Sequence, residues 1–386
     1  MIALISVAVG LLLLSIALWD AFSTVVLPRT VGSVLRPARV FSRVGWRLWR
    51  LVGSWLSNRR ARQSFLTAFG PLSVFLLLGL WAVMIIVAFA LLHFGLRTQL
   101  NVPSSQGGIG LFLYLSGTTF FTIGLGDVVP LNALGRVLIV AEVGTGLIFL
   151  GMIIGYLPML DQAYTQREVG VQLLESRAGS PQSAVRLLRR FGRSESADVL
   201  ATVLQEAERW AAELSQSHIA HPMLVYYRSQ HLDQSWLISL TTLLDSCALL
   251  IVSRDGAPTR QARATFRMAV RVATDLARIF GVAPGPIVSE RLPLGDFPRL
   301  CAILESSGLS LQAGTEAEAR LKKLRGLYEP VVLALATWLL VPLPEWIPTV
   351  VDEEEDGADL LTSADLGLSS AETVPQLHGR STQASA

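Results

Sequence analysis

From Pro71 to Leu92 the chain carries no formally charged side chain and is almost wholly apolar. A run of about 20 such residues crosses the hydrocarbon of a bilayer as a helix, because a helix satisfies its own backbone there. Two further stretches are long enough. Met1 to about Leu27 is uninterrupted apolar sequence through Trp19, and Val137 to Met159 is broken only by Glu142. A signal peptide fits the first stretch poorly, since no positive segment precedes it and no convincing small-residue cleavage site follows. Asp20, near its inner end, is expected to be a snorkelling or paired charge. Only 16% of the chain is charged, against roughly a quarter in soluble domains. The apolar excess lies before residue 160, while 161–325 have an ordinary soluble mixture.

The connection between the first two spans holds Arg29, Arg36, Arg39, Arg43, Arg47, Arg50, Arg59, Arg60 and Arg62 and no acidic residue. Such a loop belongs on the cytoplasmic side. The N-terminus is then outside, and everything after the third span is cytoplasmic. Within this loop Phe41, Val44, Leu48, Leu51 and Trp55 recur at spacings of three and four, while Arg36, Arg39, Arg43, Arg47 and Arg50 share another face. Trp46, Trp49 and Trp55 suit the headgroup layer. This pattern predicts an amphipathic helix on the inner leaflet, held by apolar burial and by anionic lipid. A voltage sensor also carries periodic arginines, but here too few apolar residues separate them to make a spanning segment. A net charge of +2 gives no reason to expect nucleic acid as a partner. The basic residues are nearly all Arg, which reflects the coding bias of a GC-rich, hence bacterial, genome. Cys247 and Cys301 form no spaced metal or redox motif and are expected as buried, reduced thiols.

Between the second and third spans, Ile109 to Phe121 is an apolar run too short to cross a membrane, and Thr122-Ile123-Gly124-Leu125-Gly126-Asp127 follows. Alternating glycines permit backbone conformations closed to other residues. Successive carbonyls can then face one axis and replace a cation's water shell. Thr122 adds a hydroxyl at the inner end, and Asp127 at the outer mouth raises the local cation concentration. The C-terminal end of the short helix before the hexapeptide favours a cation through its dipole.

Over residues 71–160 the chain resembles the potassium-channel pore domain of outer helix, pore loop and inner helix. The family's commonest filter reads Thr-Val-Gly-Tyr-Gly-Asp. Here Ile123 replaces Val and Leu125 replaces Tyr, a version similar to the filter of some two-pore-domain potassium channels. The likeness extends through Gly135-Arg136 to Gly146 and Gly151. It implies potassium as the permeant ion, no cofactor, and bending of the inner helix at Gly146 or Gly151 during gating. Leu125 lacks the aromatic hydroxyl of the commonest filter, and Phe121 stands where many members have a second threonine. Both departures bear on selection of potassium over sodium. One pore loop per chain and no internal repeat make a fourfold ring of carbonyls a homotetramer.

Glu142 falls about 10 Å below the outer end of the inner helix at 1.5 Å per residue, level with the filter. A carboxylate buried there needs a partner or a proton, and Thr118 or Thr119 of the pore helix is the expected partner. Gly155-Tyr156-Leu157-Pro158 is expected to end or kink the inner helix, either as a gate or as a plain stop. Beyond it the pattern is helical. Starts are expected at Ser180-Pro181 and Ser196, and further helices over Ser235–Val252, Thr259–Phe280 and Ala317–Leu340. His218, His221 and His231 are expected to be structural, because Pro222 interrupts the local helix and no Cys or carboxylate completes a metal set. The segment from Tyr226-Tyr227-Arg228 to Trp236 is read as core packing, with a ligand pocket as the alternative. Val331 to Val341, between Pro330 and Pro342, is too short to span and is placed in the soluble core or at the membrane surface. No strand-bounded glycine fingerprint supports a nucleotide-binding regulatory domain.

The sequence therefore predicts an all-α membrane protein with three transmembrane helices, one re-entrant pore loop and an all-α cytoplasmic domain. Its parts are a first span over 1–27, a basic linker over 28–70, the pore domain over 71–160, a helical domain over 161–348 and a disordered acidic tail over 349–386. It is expected to sit in a bacterial inner membrane and to conduct potassium passively. No paired carboxylates or nucleophile–base set suggests an enzyme. The alternatives are a weakly selective cation channel of the same architecture and a non-conducting receptor or scaffold.

Overall fold

The computed structural model describes residues 1–26, 37–102, 108–191, 197–229, 234–253, 257–285, 290–293, 295–306, 309 and 314–347. The expected acidic tail, Arg36, Ser196 and His231 lie outside these. Among the described residues the structure is helical, with no strand and one isolated bridge between Leu100 and Pro130. The helices long and apolar enough to cross a membrane are α1 (Ile2–Val25), α3 (Arg59–Gly95) and α5 (Ala133–Ala178). Between α1 and α3 lies α2 (Pro37–Ser54), and between α3 and α5 lies the short α4 (Ile109–Phe120). The protein is thus an all-α membrane protein with an additional helical domain.

Asp20 is paired. It is buried, and its Oδ2 accepts from the Trp81 indole of α3 at 2.9 Å and from the Ala38 amide at 3.0 Å. One carboxylate therefore joins α1, α3 and the positive end of α2, where a negative charge is favoured.

The α2 helix keeps its two faces, with one correction to the expected placement of its tryptophans. Val44, Leu48, Leu51 and Trp55 are exposed, whereas Trp46 is buried and Trp49 half-buried. The Trp46 indole donates to the Trp338 carbonyl at 3.0 Å and packs against Phe69, Tyr226 and Trp338. Trp49 stacks on Phe65 and donates to its carbonyl. A wide aromatic side chain with one donor gains more from a protein cavity that supplies an acceptor than from the interface. Of the three, only Trp55 is left exposed.

Both long helices outrun the spans expected of them. Asn58 caps α3 by accepting from the Arg60 amide at 3.0 Å, and the helix passes through Pro71. Likewise α5 does not stop at Pro158 but continues to Ala178, a length of about 69 Å. A helical proline forfeits one backbone bond. Here Leu160, Arg167, Val171, Leu174 and Ala178 go on to bury a face in the helical domain, which offsets that loss. The third spanning helix is thus also the first helix of the helical domain.

That domain continues with α6 (Ala184–Phe191), α7 (Ala197–Ala220), a 3-10 turn (Pro222–Tyr226), α8 (Trp236–Val252), α9 (Ala257–Phe280), α10 (Phe297–Glu305) and α11 (Thr315–Leu339). The expected start at Ser180-Pro181 is displaced. Gly179 closes α5 at φ +78°, and α6 begins beyond Ser183, whose hydroxyl accepts from the Val185 amide. Ser235 caps α8 and Gly281 follows α9 at positive φ, as their residue types predict. Every residue of α8 except Ile251 is buried, so α8 is the domain's centre. The apolar stretch after Pro330 belongs to α11 and buries Val331, Val332, Leu335, Ala336 and Leu339 in the core. Cys247 and Cys301 are free and buried there.

Buried charges staple these helices together. Arg291 bonds Asp245 of α8 at 2.6 Å and the Pro344 carbonyl at 2.7 Å, and lies 3.5 Å from Glu329 of α11. Tyr328 donates to Asp245 at 2.6 Å, and Arg325 pairs with Glu329 at 3.0 Å. On α5, Arg167 donates to the carbonyls of Leu224 and Tyr227, both at 2.8 Å, and pairs with Glu168.

His218 is fully buried, with Nδ1 donating to the Leu214 carbonyl at 2.9 Å and its ring against Trp236. Burial, with the Arg167 guanidinium nearby, pushes it down to about 3. The unfolded chain therefore binds a proton that the folded chain refuses, so this stability is complete above pH ~6.5 and is lost as the pH falls towards 3. Acid should lower the stability of the domain by about 1.4 kcal/mol per pH unit across that window. Denaturant unfolding of His218→Gln from pH 7 to 4 should show a flatter acid slope. An unchanged slope would assign it to other groups.

Candidate functional site

At about 18 Å, α4 is too short to span, and its C-terminal end opens into the glycine-bearing hexapeptide. Backbone amides of that segment satisfy the helix end, Thr122 N donating to Thr119 O at 2.9 Å and Ile123 N to Thr118 O at 2.8 Å. The next residues alternate in hand, with φ of +54° at Thr122, +58° at Gly124 and +78° at Gly126. In an extended strand successive residues face opposite ways. Inverting every second residue brings successive carbonyls towards a common side. Glycine adopts the inverted geometry freely, whereas Thr122 does so at a cost of about 1–2 kcal/mol. Residues 122–127 are all exposed in the single chain.

The outer end of this strip is braced by residues that sequence reasoning had not singled out. Tyr114 of α4 donates to Asp127 Oδ2 at 2.7 Å, and Asp127 Oδ1 accepts from the Val128 amide at 3.0 Å. Asn101 donates to the Asp127 carbonyl at 3.0 Å and accepts from the Val129 amide at 2.9 Å. Asn101 N to Val129 O and Leu131 N to Gln99 O pair the segment after α3 with the exit from the hexapeptide. A lone phenol in the apolar run of α4, one turn before Thr118, was the available sequence signal. The Tyr114–Asp127 bond braces the mouth in a chain that has Leu125 where an aromatic hydroxyl is commoner.

Glu142 is fully buried at the level of α4, but neither expected threonine holds it. The Thr118 hydroxyl donates within its own helix, to Tyr114 O and Leu115 O. Thr119 is buried but makes no hydrogen bond to the carboxylate. The carboxylate instead faces His93 of α3, with Oε2 at 3.7 Å from Nε2, and the buried Ser116 hydroxyl adjoins it. His93 Nδ1 lies 3.0 Å from Thr98 Oγ1. A helical threonine finds a backbone acceptor one turn back, which removes it as a partner. Glu142 therefore lies where α5, α3 and α4 meet, with His93 as its nearest basic group.

Gly146 and Gly151 differ sharply in surroundings. A Cβ on Gly146 would stand 2.3 Å from the Phe120 carbonyl, so the bare backbone of α5 is the seat on which the end of α4 rests. Nothing lies within 4 Å of the corresponding position on Gly151. The helix is continuous through both.

Gly146→Ala should unseat α4 and lower the thermal midpoint of the purified protein. Gly151→Ala should leave the folded protein unchanged. His93→Leu and Glu142→Leu should each destabilise by leaving one buried polar partner behind, whereas the double variant should lose less than the sum of the two. Strict additivity in that thermal-unfolding cycle would mean that the pair does not interact.

No curated protein and no solved structure matches the chain. Residues 74–159, from the middle of α3 to the Pro158 region of α5, match the family model described as ion channel. With its short helix, alternating-hand strip and two flanking spans, that segment is similar to the ion-channel family.

Proposed function

We propose that the chain is one subunit of a homotetrameric potassium channel, with Thr122, Ile123, Gly124, Leu125, Gly126 and Asp127 of four copies forming the selectivity filter. The observation that carries this reading is the alternation of positive φ at Thr122, Gly124 and Gly126 at the end of a non-spanning helix. Backbone of this kind at membrane depth requires an internal or aqueous partner. Carbonyls from four chains around one axis supply a dehydrated cation with its ligands, and the cation supplies the carbonyls with theirs. Exposure of the whole strip in the single chain fits a surface that faces other copies. Potassium passes down its own gradient and no cofactor takes part.

The positive charge of α2 and of the start of α3 supports the reading that the helical domain is cytoplasmic and the N-terminus outside. The membrane is then a bacterial inner membrane. The exposed row Val44, Leu48, Leu51 and Trp55 lies in the inner leaflet, and Arg47 and Arg50 meet anionic headgroups, whereas Arg43 donates to the Ile279 carbonyl of α9 at 3.4 Å. Because α5 runs unbroken from pore to domain, a change in the domain's packing acts directly on the inner helix.

The purified protein, reconstituted in liposomes under opposing potassium and sodium gradients, should reverse near the potassium equilibrium potential. Gly124→Ala or Gly126→Ala should abolish the current, since a side chain strains the inverted backbone. A reversal near zero with robust current would mean a weakly selective cation channel. Current that persists in both glycine variants would remove the hexapeptide from the ion pathway.

A further inference from the structure

A cavity of about 40 Å³ lies where α3, the segment after the 3-10 turn, α8 and α11 meet. It has room for about three waters, the size of one small oxyanion. Its polar lining comes from Gln63 and Thr67 of α3, Arg228, Ser229, Gln234 and the first residue of α8, Trp236. Gln63 and Thr67 stand one to two turns before the apolar span that begins near Pro71, so the cavity is at the basic end of the membrane layer.

Arg228 is the unusual member. Its guanidinium donates to the Gln63 side-chain oxygen and to the Leu339 carbonyl at 2.5 Å, both neutral acceptors. Among the described residues no carboxylate pairs with it, in contrast to the buried Arg167, Arg291 and Arg325. Guanidinium offers five N–H donors, and these two bonds leave others for a ligand. Burial, and then the neighbouring Arg62 cation, push Arg228 down to about 10. Beside Arg228 the Ser229 hydroxyl is buried, at 7% exposure, and has no hydrogen-bond partner. The amino-terminal end of α8, capped by Ser235, faces the same space and adds its positive dipole end. A half-buried cation with no carboxylate partner among the described residues, an idle buried hydroxyl and a helix N-terminus are together the chemistry of an anion receptor.

We propose that this cavity binds one phosphate-type oxyanion per chain, either the headgroup phosphate of an anionic lipid or a small soluble phosphate. Bound there, the anion clamps the membrane end of α3 to α8 and α11, which ties the outer helix of the pore to the helical domain. The site is independent of ion selectivity, and its binding can be read without any current.

The test is calorimetric titration of the full chain in neutral detergent. One probe is inorganic phosphate, the other dihexanoyl phosphatidylglycerol below its micelle concentration. At least one probe should bind at one site per chain. Arg228→Gln should weaken it tenfold or more, Arg228→Lys less, and Ser229→Ala two- to fivefold. Ser229→Ala removes no existing hydrogen bond, so its effect cannot come from misfolding. Binding of the lipid alone identifies a headgroup, whereas binding of phosphate identifies a free oxyanion. The inference is overturned if neither probe binds, or if Arg228→Gln and Ser229→Ala both bind as the parent does.

Discussion

Irregular backbone inside an apolar layer must find partners for its polar groups, and the pore domain is organised around meeting that demand between Thr122 and Asp127. The amides of Thr122 and Ile123 close the end of α4. Tyr114 and Asn101 hold Asp127 at the other end. Gly146 allows α5 to come close enough for the Phe120 carbonyl to rest on its backbone. What remains is a short strip of inverted and normal residues, exposed along its length, whose carbonyls look to something outside the chain.

The buried charges follow a second rule: each spans elements that could otherwise slide. Asp20 joins α1, α2 and α3, and Glu142 faces His93 across from α5 to α3 beside the pore helix. Arg167 draws the 3-10 turn onto α5, and that turn packs in turn against Gly70 of α3. Isolated charges in such places would cost several kcal/mol each, so they persist only where partners meet them. The two long helices and these cross-links make the pore and the helical domain one mechanical unit. Arg228 departs from the rule, since its protein partners are neutral.

Much of this was legible in one dimension. Spans follow from runs of apolar residues, caps from Ser235 and Gly281, and the short α4 with its strip of alternating hand from a short apolar run followed by threonine, alternating glycines and aspartate. These are local properties, set by solvent transfer and by which side chains tolerate positive φ. Misplaced expectations share a cause. Pro158 looks like a helix stop until the buried face of Leu160 to Ala178 is seen to outweigh one lost backbone bond. Trp46 looks interfacial until the Trp338 carbonyl, nearly 300 residues away, is seen to accept its proton.

Sequence alone therefore determined the class of the protein, the number of its spans and the residues of its candidate filter, because transfer free energy and backbone sterics act over a few neighbouring residues. Only the tertiary structure decided which partner each buried polar group took: His93 for Glu142, Tyr114 for Asp127, and neutral acceptors for Arg228. Those choices depend on which helix faces lie within about 3–4 Å of one another, the reach of hydrogen bonds and close ion pairs, which no local pattern encodes.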